Sequence, residues 1–245
     1  MKKKKVVILL LALGFSMNVQ GTSDEGVILL HGLCRSAASM VKMERYLEEA
    51  GYVVVNQTYP SRKLKIAELS ERVVGTALRD QRLEKCKKIH FVTHSLGGIL
   101  VRAYYEKNPP GRLSRVVMLG PPNKGSEVVD CLGTWPLFKW INGPAGAELG
   151  TREESLPRQL GRVEFEAGIV AGDRSINWIN SMMIDGKDDG KVSVERTKVE
   201  GMNDHVVVHT RHPFMMKNQE VLELTLTFLE RGSFERVRST RQGDH

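Results

Sequence analysis

The run Ile89-His90-Phe91-Val92-Thr93-His94-Ser95-Leu96-Gly97-Gly98-Ile99-Leu100-Val101 sets one serine between an apolar stretch of strand length and an apolar helical start. It reads as strand, sharp turn, helix, with Ser95 pushed out of a sheet on strained backbone while the small residues Gly97 and Gly98 let helix and strand approach closely. The helix N-terminus behind Ser95 offers unpaired N–H groups and a positive dipole end to an anion. A serine hydroxyl is a weak nucleophile at neutral pH, so an imidazole must take its proton and a carboxylate must orient that imidazole. Histidines at 205, 209 and 212 and aspartates at 173, 185, 188 and 189 all follow the serine. The competing reading of the same turn is a Ser95 that only caps the helix.

These groups need a scaffold that brings distant stretches together. Gly26 to Leu30 is an unbroken apolar run of strand length that stops at His31-Gly32-Leu33, as a buried parallel strand does. Ser36 or Ser39 can cap a helix running to about Ala50, and Tyr52 to Val55 begins the next strand. A helix is expected from Ile66 to about Leu83, with Ile66, Leu69, Val73, Val74 and Ala77 on one face. After the elbow helix, Leu96 to about Lys107, come strands at Arg115 to Gly120, Phe165 to Ala171, a short one at Lys191 to Val194, and a last one around Val206 to Val208. An amphipathic helix from Phe214 to about Arg231 closes the chain, ended by Gly232. Alternating strands and helices of these lengths mean an α/β fold, a mostly parallel central sheet with helices on both faces. Residues 123–161 break the rhythm as an insertion before the penultimate strand, rich in Gly and Pro and carrying Trp135, Leu137, Phe138, Trp140 and Ile141. Either these aromatics cap the site and shape an acyl pocket, or they pack on the core.

Thr93-His94-Ser95-Leu96-Gly97 resembles the G-x-S-x-G nucleophile elbow of the α/β-hydrolase superfamily, and especially the T-H-S-x-G-G of lipase-like esterases; Thr93 departs from the general motif, which has glycine there. The resemblance implies a triad in the chain order Ser, acid, His. It places the base at His212, between the last strand and the final helix, in a segment His212-Pro213-Phe214-Met215-Met216 similar to H-T-F-M-M; His209 and His205 are the rivals. Asp189, in Asp189-Gly190-Lys191-Val192, resembles the D-G-x-V that carries the acid, whereas Asp173, directly after the strand that ends near Ala171, fits the generic fold. Asp188 and Asp185 read as solvated turn residues. The resemblance further implies an oxyanion hole from the backbone N–H groups of Leu33 and Leu96, with His31 bracing the loop and not acting as a base. It extends in order through Leu119-Gly120-Pro121-Pro122-Asn123-Lys124-Gly125-Ser126, and so over nearly the whole chain after its N-terminal segment.

The implied activity is hydrolysis of a small-molecule or lipid carboxylic ester through an acyl-enzyme; acyl transfer or amide hydrolysis on the same residues, or a non-catalytic envelope binding protein of this fold, are the alternatives. At 245 residues with 41% hydrophobic and 27% charged content, one full-sized core is expected. Residues 1–21 read as a signal peptide, with Lys2 to Lys5, an apolar run from Val6 to Leu13, and Val19 and Gly21 at the small-residue positions of a cleavage site. An uncleaved anchor is the alternative. A single domain over 22–245 would then be exported, periplasmic or secreted. The net charge of +7 includes Lys2 to Lys5, leaving +3, and no basic run interleaved with aromatics argues for nucleic acid. Arg231, Arg236, Arg238 and Arg241 read as a solvated tail, and transient contact with a membrane surface is the one further partner considered. No metal or cofactor motif is present, so none is expected. Cys34, Cys86 and Cys131 permit one bridge at most, with the pairing open.

Overall fold

A computed structural model describes residues 24–175, 184 and 186–235. The N-terminal segment, Asp185 and the arginines at 236, 238 and 241 lie outside the described residues. Six strands, β1 (Glu25–Leu30), β2 (Val53–Gln57), β3 (Lys88–His94), β4 (Leu113–Leu119), β5 (Glu166–Gly172) and β6 (Asp204–Val208), form one sheet in the order β2-β1-β3-β4-β5-β6. Every pairing is parallel. Parallel strands need crossovers, and the helices that supply them cover both faces, which is why the central strands read as unbroken apolar runs.

The two faces of β1 enter two different cores. Ile28 and Leu30 pack with Ile66, Leu69 and Ile99, from α2 (Ile66–Leu78) and α3 (Leu96–Tyr105). Val27 and Leu29 pack with Met43, Leu47 and Phe228, from α1 (Val41–Glu49) and the last helix, Gln219–Arg231. Chain order turns back on itself at β1. The chain steps to β2 on one side, then returns to β3 on the other and continues outward. The crevice beyond the carboxyl ends of β1 and β3 is therefore the switch point where such sheets place their ligands.

Several boundaries differ from the expectations. Neither Ser36 nor Ser39 caps α1 by its side chain; the two belong to a tight turn in which Ser39 Oγ donates to the Ser36 carbonyl at 2.7 Å, and Met40 is the N-cap residue. Helix α2 stops at Leu78 because Asp80 accepts from the Arg82 N–H at 3.0 Å and starts a separate 3-10 turn. Lys191 to Val194 is not a strand. The Val192 N–H is given to Asp189 Oδ1, Ser193 caps α7 (Val194–Thr197) by accepting from Arg196, and only an isolated Asp188–Ser193 bridge remains. His212–Lys217 is a 3-10 turn. The final helix, α8 (Gln219–Arg231), begins only after Asn218, whose side chain accepts from the Val221 N–H, and Gly232 ends it in the left-handed region.

The irregular stretch 123–161 carries α4 (Glu127–Leu132), α5 (Pro136–Ala147, broken at Gly143) and α6 (Leu156–Gln159). Its ends are tied to the elbow helix by Arg102, which is 4% exposed and donates to the carbonyls of Asn123, Pro157 and Gly161 at 3.0, 3.2 and 2.8 Å. Burial pulls this guanidinium down to about 10 from its ordinary value. All three cysteines are unpaired, Cys86 buried and Cys34 and Cys131 exposed.

Candidate active site

Ser95 sits between the end of β3 and the first turn of α3 with φ 53° and ψ −118°. Among the described residues only it and Cys34, φ 59°, are non-glycine residues with positive φ, and both face the same crevice. Such backbone strain concentrates at functional sites. The approach of α3 to the sheet depends on Gly97, where a Cβ would lie 2.7 Å from the Leu30 carbonyl oxygen. Gly98 explains how the elbow tolerates Thr93. A Cβ there would stand 3.3 Å from Thr93 Oγ1, so the second glycine makes the room that a glycine at position 93 would have made unnecessary.

His212 and Asp189 meet at the open end of β4 and β5. Asp189 is 1% exposed. Its Oδ1 accepts from the N–H groups of Lys191 and Val192, each at 3.0 Å, and its Oδ2 lies 2.6 Å from His212 Nδ1. A second tether runs through the backbone, where the His212 N–H donates to the Asp189 carbonyl at 3.0 Å. A carboxylate only accepts, so Nδ1 carries the imidazole proton and Nε2 keeps its lone pair. Ser95, Asp189 and His212 line one cavity of about 500 Å³, whose wall is more apolar than polar and includes Leu33, Val128, Phe138 and Leu149.

The rival residues pair elsewhere. Asp173 Oδ1 contacts His209 Nδ1 at 2.9 Å, with the His209 side chain 70% exposed, on the outer surface of the same sheet end. His205 Nε2 is engaged with Thr197 Oγ1 at 2.9 Å, and burial lowers its pKa from the ordinary value. Asp188 forms the expected turn by accepting from the Gly190 N–H at 2.7 Å, but it is 7% exposed and so is not the solvated residue expected from sequence.

The loop after β1 lies directly against the elbow, since a Cβ on Gly32 would stand 3.2 Å from Ser95 Cβ. His31 braces it, stacked on Tyr59 with ring centroids 4.0 Å apart. Its Nε2 accepts from the Tyr59 N–H at 3.2 Å, and the Tyr59 hydroxyl donates to the His31 carbonyl. Burial lowers the His31 pKa, which keeps the ring a neutral strut. Leu33 follows in this loop and lines the cavity, while Leu96, as the first residue of α3, has an N–H outside the helical ladder.

Two contributors escaped sequence reasoning. His94 is fully enclosed, held well below the ordinary histidine pKa first by burial and then by repulsion from His212, and its Nε2–H donates to the His212 carbonyl at 2.9 Å. The only sequence signal was its place in the elbow. Gly120, φ 55°, makes the slot for the His–Asp pair, since a Cβ there would stand 3.0 Å from Asp189 Oδ2 and 3.1 Å from His212 Nδ1. Gly120→Ala is therefore expected to cut kcat by about 10²-fold through displacement of that pair, with KM little changed and about 1 kcal/mol of stability lost to the left-handed backbone. Steady-state kinetics beside thermal melts check this.

Residues 26–156, just over half of the chain, match the palmitoyl protein thioesterase family. No curated protein sequence matches the chain. Similar solved structures include the mature form of the lipase BlEst2 from Bacillus licheniformis, 18% identical, with a TM-score of 0.66 over 85% of this chain and 92% of that one. The phospholipase PlaB from Legionella pneumophila is 17% identical, with a TM-score of 0.65 over 85% of this chain and 57% of that one. A metagenomic carboxyl esterase is 17% identical, with a TM-score of 0.61 over 78% of this chain and 65% of that one. At these identities the likeness is one of fold, and that fold is the α/β-hydrolase fold expected from the sequence.

Proposed function

Since the chain belongs to the palmitoyl protein thioesterase family, and is thus a hydrolase of the ester-cleaving kind, we propose that it is a serine hydrolase releasing an acyl chain from an ester or thioester through an acyl-enzyme. Ser95 is the nucleophile, His212 the general base and then acid, and Asp189 the group that orients the imidazole. The single observation that carries this reading is the buried Asp189–His212 contact at 2.6 Å, opening on the same apolar cavity as a serine held at positive φ.

Ser95 Oγ attacks the acyl carbon as its proton passes to His212 Nε2, and the carbonyl oxygen takes negative charge against the N–H groups of Leu33 and Leu96. The imidazolium, held by Asp189, gives that proton to the departing alcohol or thiol, which leaves an acyl-serine. Water, deprotonated by the same imidazole, attacks this ester and returns the serine with a free fatty acid. The Lys2 to Lys5 and Val6 to Leu13 pattern supports placing this reaction outside the cytoplasm, in a periplasmic or secreted enzyme.

The apolar cavity wall supplies the test. Across acyl p-nitrophenyl esters and acyl thioesters of increasing chain length, kcat/KM is expected to rise by roughly fourfold per added methylene while the cavity fills, from about 0.8 kcal/mol per buried CH₂. A flat series, or products in which an added alcohol captures the acyl group in place of water, would sink the hydrolase reading.

A further inference from the structure

The insertion reaches the triad by a route that its large apolar residues do not supply. Phe138 and Ile141 line the cavity, but Trp135, Leu137 and Trp140 stand exposed, so packing on the core holds for none of those three. Ser126, at the start of α4, is 6% exposed and lines the same cavity. It occupies the N-cap position, yet its side chain takes no N–H from its own helix. Its Oγ donates instead to the Lys191 carbonyl at 2.7 Å, across 65 residues of chain. The other end of that same peptide group is the Val192 N–H, which donates to Asp189 Oδ1 at 3.0 Å. Asp189 Oδ2 in turn lies 2.6 Å from His212 Nδ1.

We propose that Ser126 is a positioning residue for the triad, its hydroxyl acting through the Lys191–Val192 peptide to hold the Asp189 carboxylate in line with His212. A carbonyl only accepts, so the Ser126 proton is given to Lys191 and the groups form one donor-to-acceptor series ending at the imidazole. The peptide is planar and rigid, so fixing its oxygen fixes the direction from which its N–H meets Oδ1. The carboxylate is planar as well, and a grip on Oδ1 sets where Oδ2 faces. A peptide whose carbonyl accepts is also a better donor at its N–H, because hydrogen bonds in series polarise one another. The rest of the contact is a frame that does not need the hydroxyl. The Lys124 N–H donates to the Arg196 carbonyl at 3.0 Å, and the Arg196 guanidinium donates to the Lys124 carbonyl at 3.2 Å and pairs with Glu127. The Ser126 N–H donates to the Leu149 carbonyl at 2.9 Å, and Gly125, φ 84°, lies so close to Gly150 that a Cβ would stand 2.0 Å from its carbonyl oxygen. Ser126→Ala therefore removes one link and leaves the backbone on either side of it tied. The consequence for turnover rests on the acyl hydrolase reading, but the state of the Asp189–His212 contact is measured without it.

The experiment compares wild type, Ser126→Ala and Ser126→Thr by steady-state kinetics on a soluble p-nitrophenyl acyl ester and by the far-downfield proton resonance of His212 Nδ1–H, assigned by its absence in His212→Ala. Ser126→Ala is expected to lose about tenfold in kcat with KM within about a factor of two, and its Nδ1–H resonance to move upfield as the bond to Asp189 lengthens. Threonine keeps the hydroxyl and is expected to restore both to near the wild-type values. An alanine variant with wild-type kcat and an unmoved resonance overturns the proposal. So does a rise in KM at constant kcat, which would make Ser126 only part of the cavity wall, and so does a lowered melting temperature with kcat and resonance unchanged, which would make its bond only structural. Threonine as impaired as alanine overturns it too. A wild type that hydrolyses nothing, but whose resonance moves in the alanine variant and returns in the threonine one, defeats the hydrolase reading and leaves the positioning role standing. An active wild type whose alanine variant matches it in both measurements does the reverse.

Discussion

Ser95→Ala is expected to lower kcat on a soluble acyl ester by about 10⁴- to 10⁶-fold, and His212→Ala by a similar factor, because members of one proton-relay unit fail together and not additively. The residual rate is what binding and the two N–H donors supply without a nucleophile. Ser95→Ala tests chemistry cleanly, since alanine has the same Cβ as serine and leaves the strain at φ 53° unchanged. Its melting temperature should match wild type. Labelling with a fluorophosphonate, followed by mass spectrometry, should place the adduct on Ser95 and find none in the variant. A folded wild type that resists the reagent, or an alanine variant that turns over normally, removes Ser95 from the nucleophile's role.

Asp189→Asn is expected to cost about 10⁴-fold in kcat, while Asp173→Asn stays within a factor of two. Asparagine at 189 keeps one oxygen for the N–H groups of Lys191 and Val192, so the turn is held and the amide NH₂ is left facing His212 Nδ1. The imidazole must then accept at Nδ1 and carry its proton on Nε2, where it no longer takes a proton from serine. Alanine at 189 would be a poorer test because two buried N–H donors would lose their acceptor. Asp173, by contrast, contributes only a contact with the mostly exposed His209, the kind of surface pair worth a few tenths of a kcal/mol. If Asp173→Asn alone abolished turnover, the assignment of the acid would be reversed.

His94 explains why the base is so well placed. A neutral, enclosed imidazole donates to the backbone carbonyl of His212, and Asp189 holds the same residue by both its ring and its N–H. Three tethers on one residue leave its ring little freedom, which is what proton transfer over a short distance requires.

By itself the sequence determined the parts whose cause is local. Residues 26–30 and 89–94 had to be strands buried on both faces, because an unbroken apolar run of that length next to a glycine turn has few other homes. The elbow was legible for the same reason: strand, serine, two glycines and an apolar helix start all lie within one short stretch. Gly232 likewise announced the end of the last helix. The partner of His212 was not legible from spacing, since Asp173–His209 and Asp189–His212 are equally plausible pairs on paper and only a motif resemblance favoured the second. Side-chain direction at the ends of β5 and β6 sends one pair to the surface and the other to the cavity. Lys191 to Val194 looked like a strand, but a local competition decided otherwise: the N–H groups of Lys191 and Val192 are spent on the nearby Asp189 carboxylate, and Ser193 caps a helical turn. The slot at Gly120, by contrast, was decided by tertiary structure alone. That slot depends on atoms that arrive from Asp189 and His212, and no short window of sequence holds both sides of such a contact.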